Sequence, residues 1–365
     1  MKVSATREHL LEAMQSVIGV VERRQTMPIL SNVLLSARDG RLRVTATDLE
    51  VELVATAEVN VQQAGDVTLP GRKLFDIIRT LPDKSTVTMA RENDKVVLRG
   101  GRSRFTLSSL PASEFPVIEE INTRHSLTLS ARDCRRLIDK THFAMAQQDV
   151  RYYLNGTLLE TDGHALRAVA TDGHRLSWCE LALGAPAGEM QQIILPRKGV
   201  LELQRLLDGE GNIEIELGSS HLRAKIGDVR LTSKLIDGKF PEYNRVIPSQ
   251  PPHVMSAPRD ALKAALQRTA ILSNEKYRGV RLVFAAGLLT IQAHNPEHEE
   301  AEDQLEVEFS GETLEIGFNV GYLLDALTAI ETDVVEVCLT GADSSCLIRA
   351  PGDATVKYVV MPMRL

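Results

Sequence analysis

Ala165-Leu166-Arg167-Ala168-Val169-Ala170-Thr171-Asp172-Gly173 reads as an alternating strand running into a turn, and the phrase recurs along the chain. Upstream, Gly40-Arg41-Leu42-Arg43-Val44 leads into Ala46-Thr47-Asp48-Leu49, with Thr47 lying 124 residues before Thr171. Downstream, Gly287-Leu288-Leu289-Thr290-Ile291 leads into Ala293-His294-Asn295-Pro296. Phe115-Pro116, Phe240-Pro241 and Met361-Pro362 follow at intervals of 125 and 121 residues and mark three unit ends. Three units of this length account for all 365 residues. The domain limits expected are therefore 1–124, 125–250 and 251–365.

Within each unit the hydrophobic period switches in the same order. Leu10, Leu11, Met14, Val17 and Ile18 share one helical face, as do Cys134, Leu137, Ile138 and Met145, and Leu262, Ala265, Leu266 and Thr269. A second helix in each unit carries Leu74, Ile77, Ile78 and Leu81, then Leu203, Leu206 and Leu207, then Leu323, Leu324, Leu327 and Ile330. Helices are expected over 6–20, 71–81, 131–147, 196–208, 258–270 and 319–331. About eight short strands per unit, joined by turns such as Asp39-Gly40, Asp162-Gly163 and Asp237-Gly238, complete an α+β domain of mostly antiparallel sheet. Helices must cover one sheet face.

The composition is that of a globular chain, 43% apolar and 25% charged, which excludes disorder and collagen-like repeats. Cys134, Cys179, Cys338 and Cys346 are sparse and form no Cys-x-x-Cys pair, so a reducing cytoplasm is the expected compartment. Charges at Lys2, Arg7 and Glu8 precede any apolar stretch, and no run reaches the roughly 18 apolar residues of a membrane span. Neither export nor membrane insertion is expected. The net charge of -7 excludes a uniformly basic coat for nucleic acid, so any DNA contact must be local. The six helical segments nonetheless sum to a positive charge, which leaves strands and loops more acidic than the whole. A basic surface shared by the helices is expected, with merely solvated faces as the plain alternative.

The sequence has no Gly-x-Gly-x-x-Gly, no P-loop and no Gly-x-Ser-x-Gly. Asp172-x-His174 and His294-x-x-x-His298 are the only hints of a metal, and Pro296 interrupts the helix that the second pair would need. Arg99, Arg102 and Arg104 crowd the strand of Phe105 and Leu107, whereas Glu297, Glu299, Glu300, Glu302 and Asp303 form an acidic run. Basic and acidic edges at opposite ends of a chain suit head-to-tail association, closing into a ring where the rotation permits. An acidic solvated loop is the alternative.

Four stretches carry a resemblance to bacterial sliding clamps, the beta subunits of DNA polymerase III: Gln148-Asp149-Val150-Arg151-Tyr152-Tyr153-Leu154-Asn155-Gly156, Ala170-Thr171-Asp172-Gly173-His174-Arg175-Leu176, Ile271-Leu272-Ser273-Asn274-Glu275-Lys276, and Tyr358-Val359-Val360-Met361-Pro362-Met363-Arg364-Leu365. The resemblance covers the whole chain. It implies a homodimeric ring of six similar domains, with helices lining a hole around duplex DNA and sheets forming the outer wall. The ring would act as a processivity factor in DNA replication, with no catalysis and no cofactor of its own.

A peptide-binding cleft is implied at Leu154, Thr171, Gly173, His174, Arg175 and Leu176, with Pro241, Arg245 and Val246 beside them. Tyr277, Asn319, Tyr322 and Ser345 would extend it, and Val359, Val360, Met361, Pro362, Met363 and Arg364 would close it. Tyr277 stands where the family commonly shows Phe. The partners implied are the replicative polymerase alpha subunit, the clamp loader, translesion polymerases, mismatch-repair proteins and ligase, with no membrane. For duplex and primed DNA, bound without regard to sequence, the resemblance implies Arg24, Gln148, Tyr152 and Tyr153, together with Arg72, Lys73, Arg79, Arg197 and Lys198. The dimer interface implied joins Lys73, Arg102, Arg104, Phe105 and Leu107 of one chain to Ile271, Leu272, Glu297, Glu299, Glu302 and Asp303 of the other. Two rivals remain from the residues alone: a metal-dependent phosphodiesterase using scattered Asp and His, and an open repeat scaffold that binds proteins without encircling DNA.

Overall fold

A computed structural model describes residues 1–21, 27–118, 121–184, 191–207 and 210–364. The first repeat opens with β1 (Lys2–Thr6) and α1 (Arg7–Val17), then β2 (Asn32–Arg38), β3 (Arg41–Thr47), β4 (Val51–Glu58) and β5 (Asn60–Gln63). β6 (Gly65–Pro70) enters α2 (Gly71–Thr80), and β7 (Thr86–Glu92), β8 (Lys95–Gly100) and β9 (Ser103–Ser108) follow. The second repeat has β10 (His125–Ser130), α3 (Ala131–Asp139), β11 (Gly156–Thr161), β12 (Ala165–Thr171) and β13 (Arg175–Ala182). It continues with β14 (Gln191–Pro196), α4 (Arg197–Leu206), β15 (Asn212–Leu217), β16 (His221–Ile226) and β17 (Val229–Lys234). The third has β18 (His253–Pro258), α5 (Arg259–Ala270), β19 (Gly279–Ala285), β20 (Leu288–His294) and β21 (Glu300–Glu306). It ends with β22 (Leu314–Asn319), α6 (Val320–Ala329), β23 (Val334–Leu339), β24 (Cys346–Arg349) and β25 (Val356–Val360).

Two compact units emerge, Met1–Arg135 with Lys198–Leu235 and Arg136–Arg197 with Ile236–Leu365. The first holds a five-stranded sheet ordered β5-β1-β7-β8-β9 and an eight-stranded sheet ordered β10-β15-β16-β17-β4-β3-β2-β6. The second holds an eight-stranded sheet ordered β14-β11-β12-β13-β25-β24-β23-β18 and a four-stranded sheet ordered β21-β20-β19-β22. Every strand pairing in these sheets is antiparallel.

Local chemistry fixes the elements. Thr6 caps α1, its side chain accepting from the His9 N–H, and Leu10, Ala13, Met14 and Val17 are buried at helical spacing. Asn319 caps α6 through Oδ1, which accepts from the Gly321 and Tyr322 N–H groups. Asp39 and Gly40 both take positive φ between β2 and β3, the backbone a two-residue hairpin needs. Leu35, Leu42, Val44 and Leu53 are buried on one face of their sheet.

Two expectations need correcting. The helix expected over 131–147 ends at Asp139. Thr141 is buried and turns its hydroxyl back to the Leu137 carbonyl at 2.7 Å, and His142–Ala144 form a separate short turn. Asp237-Gly238 joins no hairpin, because the chain leaves β17 there into a connecting segment. Of the residues that mark the three repeat ends, Phe115 and Phe240 are buried and Met361 is 38% exposed, which contradicts no expectation.

Candidate functional site

In the second unit, β12 and β13 are joined by a turn that organises a small concave site. The Thr171 hydroxyl donates to the Arg175 carbonyl at 2.6 Å and accepts from the Gly173 N–H at 3.1 Å. Asp172 Oδ1 accepts from the His174 and Arg175 N–H groups at 2.9 and 3.0 Å, and Oδ2 pairs with Arg175 Nε at 3.2 Å. Gly173 has a φ of +89°, and a Cβ there would meet the Arg151 guanidinium at 3.0 Å. The carboxylate suspected of metal binding is thus committed to a turn and a cation.

Above this turn lies a cavity of about 210 Å³. Tyr153, Leu154, Leu176, Pro241, Val246, Val359 and Met361 give it apolar walls, while Thr171, Gly173 and Arg175 line its polar side. It is smaller than the roughly 300–1,000 Å³ of drug-sized sites and suits the side-chain anchors of a peptide. Arg175 holds one wall, donating from Nη2 to the Phe143 carbonyl at 2.7 Å and from Nη1 to Asp325. The Met361 N–H donates to the His174 carbonyl at 2.9 Å, and the Met363 N–H donates to the Gly317 carbonyl at 2.9 Å.

The remaining cleft candidates surround this cavity or lie away from it. His174 is exposed on the turn, and Val360 is buried and turned into the sheet. Ser345 donates to the Val246 carbonyl at 3.2 Å, whereas Arg245 points outward to Glu242 at 2.5 Å. Asn319 Nδ2 donates to the Tyr277 carbonyl at 3.1 Å, and Tyr277 itself is exposed, with Lys276 Nζ 5.2 Å from its ring centroid. Pro362 is half-buried and Arg364 exposed.

The DNA candidates separate into different environments. Arg24 lies outside the described residues. Gln148 and Tyr152 are exposed on one loop, with Val150 between them 95% exposed. Tyr153 instead packs against the buried cluster of Leu158, Val169, Leu176 and Val359, and lines the cavity. Lys73 is exposed on α2, but Arg72 donates from Nε and Nη2 to the Val21 carbonyl at 3.0 and 2.7 Å. Arg79 pairs with Asp76 at 3.0 Å and Lys198 with Asp48 at 2.5 Å. Arg197 is half-buried, and burial lowers its pKa. Other cations are also committed, Lys140 just past α3 to Glu331 at 2.5 Å and Arg205 on α4 to Glu202 at 2.9 Å.

Each unit also has a sheet that ends in an edge strand, paired on one side only. β9 is the edge of the five-stranded sheet and carries Arg104, Phe105 and Leu107, with Arg102 exposed in the preceding turn. β21 is the edge of the four-stranded sheet and carries Glu302 and Asp303, with Glu297 and Glu299 exposed in the turn before it. Asp303 pairs with Arg268 at 2.7 Å, while Ile271 at the end of α5 is 77% exposed and Leu272 half-buried.

Three family models match consecutively: the N-terminal domain of the DNA polymerase III beta subunit over residues 1–119, the central domain over 128–242 and the C-terminal domain over 244–364. The chain belongs to the DNA polymerase III beta subunit family. It is 52% identical to the beta sliding clamp of Pseudomonas aeruginosa and 49% identical to that of Escherichia coli, in each case over 100% of both chains. The crystal structure of the Pseudomonas aeruginosa DNA polymerase III subunit beta superposes with a TM-score of 0.98 at 51% identity, covering 100% of each chain. A Pseudomonas aeruginosa sliding clamp bound to griselimycin gives 0.96 at 51% identity, again over 100% of each chain. Like its sliding-clamp relatives, the chain has three clamp domains of mostly antiparallel sheet with helices. No helix of the described residues is long and apolar enough to cross a membrane.

The cavity of this clamp also draws on residues that sequence reasoning missed. Arg151, Glu242 and Tyr243 line it, and Phe143 and Asp325 hold Arg175. Arg151 stands inside a quoted motif and Tyr243 follows Phe240-Pro241, so proximity to those signals could have flagged both. Phe143 and Asp325 lie far from either signal in sequence.

Proposed function

We propose that two copies of this clamp close head to tail into a ring around duplex DNA and confer processivity on the replicative polymerase. The observation that carries this reading is the pair of unlike sheet edges: β9 is basic with Phe105 and Leu107, and β21 is acidic with Ile271 exposed close by. Unlike edges favour a heterologous contact between chains, and complementary charge steers its formation. Exposed edges on a monomer are otherwise an aggregation hazard. Clamp domains bounded at residues 124/125 and 250/251 would give such a ring six similar segments.

Within the ring, the apolar cavity beside Arg175 takes short peptides from the polymerase alpha subunit, the clamp loader and repair proteins, while Gln148 and Tyr152 touch primed DNA. Non-specific phosphate contacts give dissociation constants of only about 10⁻⁴ to 10⁻⁶ M, too weak to retain a polymerase, whereas enclosure retains it without tight contact. No catalytic step belongs to the chain. Loading the protein onto nicked circular DNA and then linearising the circle tests the reading. Retention on circles and loss from linear DNA is the expected result, and equal loss from both would leave the open scaffold standing.

A further inference from the structure

The two eight-stranded sheets share one register but differ in charge. In the second unit a cross-strand row runs through Glu160, Arg167 and Glu180. Arg167 meets Glu180 and Asp162 at 2.6 Å each and Glu160 at 3.4 Å, so one cation is surrounded by three carboxylates. In the first unit the row 124 residues earlier runs through Ser36, Arg43 and Thr56, paired in the same way. The counterpart of Asp162 is Arg38. The arginine is kept while its three acids are replaced by two hydroxyls and a second arginine. Arg43 is exposed, and among the described residues its side chain has no hydrogen bond or ion pair.

This face forms the floor of a cavity of about 810 Å³, lined by Arg38, Arg41, Arg43, Arg223 and Arg230. Among the described residues, its carboxylates do not balance them. Asp66 is held by Arg38 at 2.6 Å, and Asp39 sits in the hairpin turn. Buried Glu52 accepts the Ile118 N–H at 2.9 Å and reaches Arg230 only at 3.7 Å. Arg223 comes no closer than 3.8 Å to Glu216. Among the described residues, the Nε atoms of Arg223 and Arg230 are enclosed and have no acceptor. A cavity lined by guanidinium groups in excess of carboxylates favours an anion that enters with its own oxygens.

We propose that this cavity binds an acidic peptide segment, whose carboxylates occupy the places that Glu160, Asp162 and Glu180 hold in the other unit. Arg41 and Arg43 lie two residues apart on β3, about 6.8 Å along the strand, a spacing matched by acids at alternate positions of an extended peptide. Leu34, Val54 and Val117 also line the cavity and favour a peptide with apolar side chains over a bare inorganic anion. Fork-shaped guanidiniums pair with carboxylates in two parallel hydrogen bonds, which a lysine surface would not provide.

Fluorescence anisotropy of the full chain with a fluorescein-labelled Glu-Val-Glu-Val-Glu peptide tests the proposal. Arg43→Glu is expected to weaken binding about tenfold or more, the factor for roughly 1.4 kcal/mol. Thr56→Glu supplies the missing carboxylate internally and is expected to weaken binding comparably with no fall in melting temperature, which separates occupancy from misfolding. Unchanged affinity in both variants would overturn the site. Displacement by inorganic tripolyphosphate as effective as by unlabelled peptide would overturn the peptide assignment, as would a labelled DNA duplex that binds more tightly and responds to the same substitutions.

Discussion

The Arg175 guanidinium lies over the Tyr322 ring, 4.5 Å from its centroid, while its nitrogens hold Phe143, Asp172 and Asp325. One side chain thereby ties α6 to the turn that forms the cavity floor. Arg175→Ala would leave Asp172 short of a partner in a half-buried place. A loss of about 1.5 to 3 kcal/mol in unfolding free energy is expected, together with weaker binding of a polymerase tail peptide in calorimetry. Arg175→Lys should restore little of either, since an ammonium cannot fork between a carbonyl and two carboxylates. Full rescue by lysine would show that only the charge matters.

Ile271→Ala with Leu272→Ala is expected to separate the dimer while sparing the fold of each chain. Ile271 is mostly exposed in the single chain, so its truncation removes little buried surface there. Burial in a chain-to-chain contact would instead lose about 2 to 5 kcal/mol per side chain. Sedimentation should show monomers at nanomolar concentration with the melting curve of the monomer unchanged. A persistent dimer would move the interface elsewhere.

Tyr152 and Tyr153 are neighbours with ring centroids 5.9 Å apart, yet their environments predict opposite phenotypes. Tyr153→Ala should lower the melting temperature and weaken peptide binding, because the ring packs on the Leu176 cluster. Tyr152→Ala with Gln148→Ala should melt normally and load fewer clamps per primed circle, since a stacking contact on a base is worth roughly 1 to 3 kcal/mol. Identical effects of the two tyrosines would contradict this division.

Asp149 supplies a pH signature for the same loop. The hydrogen bond from the Arg151 side chain, with that from the Arg151 backbone, holds its carboxyl down at about 2. A depressed folded-state value means that its contribution to loop order is complete above the ordinary carboxylate range and is lost as pH falls toward about 2. Carboxyl chemical shifts in an NMR titration should give that midpoint, and Arg151→Ala should raise it toward 3.8. A wild-type midpoint near 3.8 would remove Arg151 as the organiser.

Much of the fold was legible because the repeat carries it three times. Leu10, Met14 and Val17, or Leu262, Ala265 and Leu266, stand at helical spacing with nothing competing, and their helices formed where expected. The third helix overran because Cys134, Leu137, Ile138 and Met145 keep the apolar period past the point where the Thr141 hydroxyl takes over a backbone carbonyl. Periodicity cannot register a hydroxyl competing for the helix ladder. The cleft was legible through family resemblance in its motif-bearing strands, whereas Phe143 and Asp325 depend on tertiary approach to Arg175. Counting charges by helix likewise overstated the available cations, since the acids that pair with Lys140 and Lys198 lie in distant segments.

The sequence period and the folding period are half a repeat out of step. One eight-stranded sheet takes β10, β15, β16 and β17 from the middle repeat and β2, β3, β4 and β6 from the first, while the other takes β11 to β14 from the middle repeat and its remaining strands from the third. Cutting the chain at a repeat boundary would therefore split a sheet at β17 and β4, or at β13 and β25, and expose a long backbone edge on each fragment. Recombinant pieces that follow the compact units rather than the repeats must join two non-contiguous segments. Circular permutation at an exposed hairpin is the gentler route to rearranging this clamp, because it leaves both shared ladders whole.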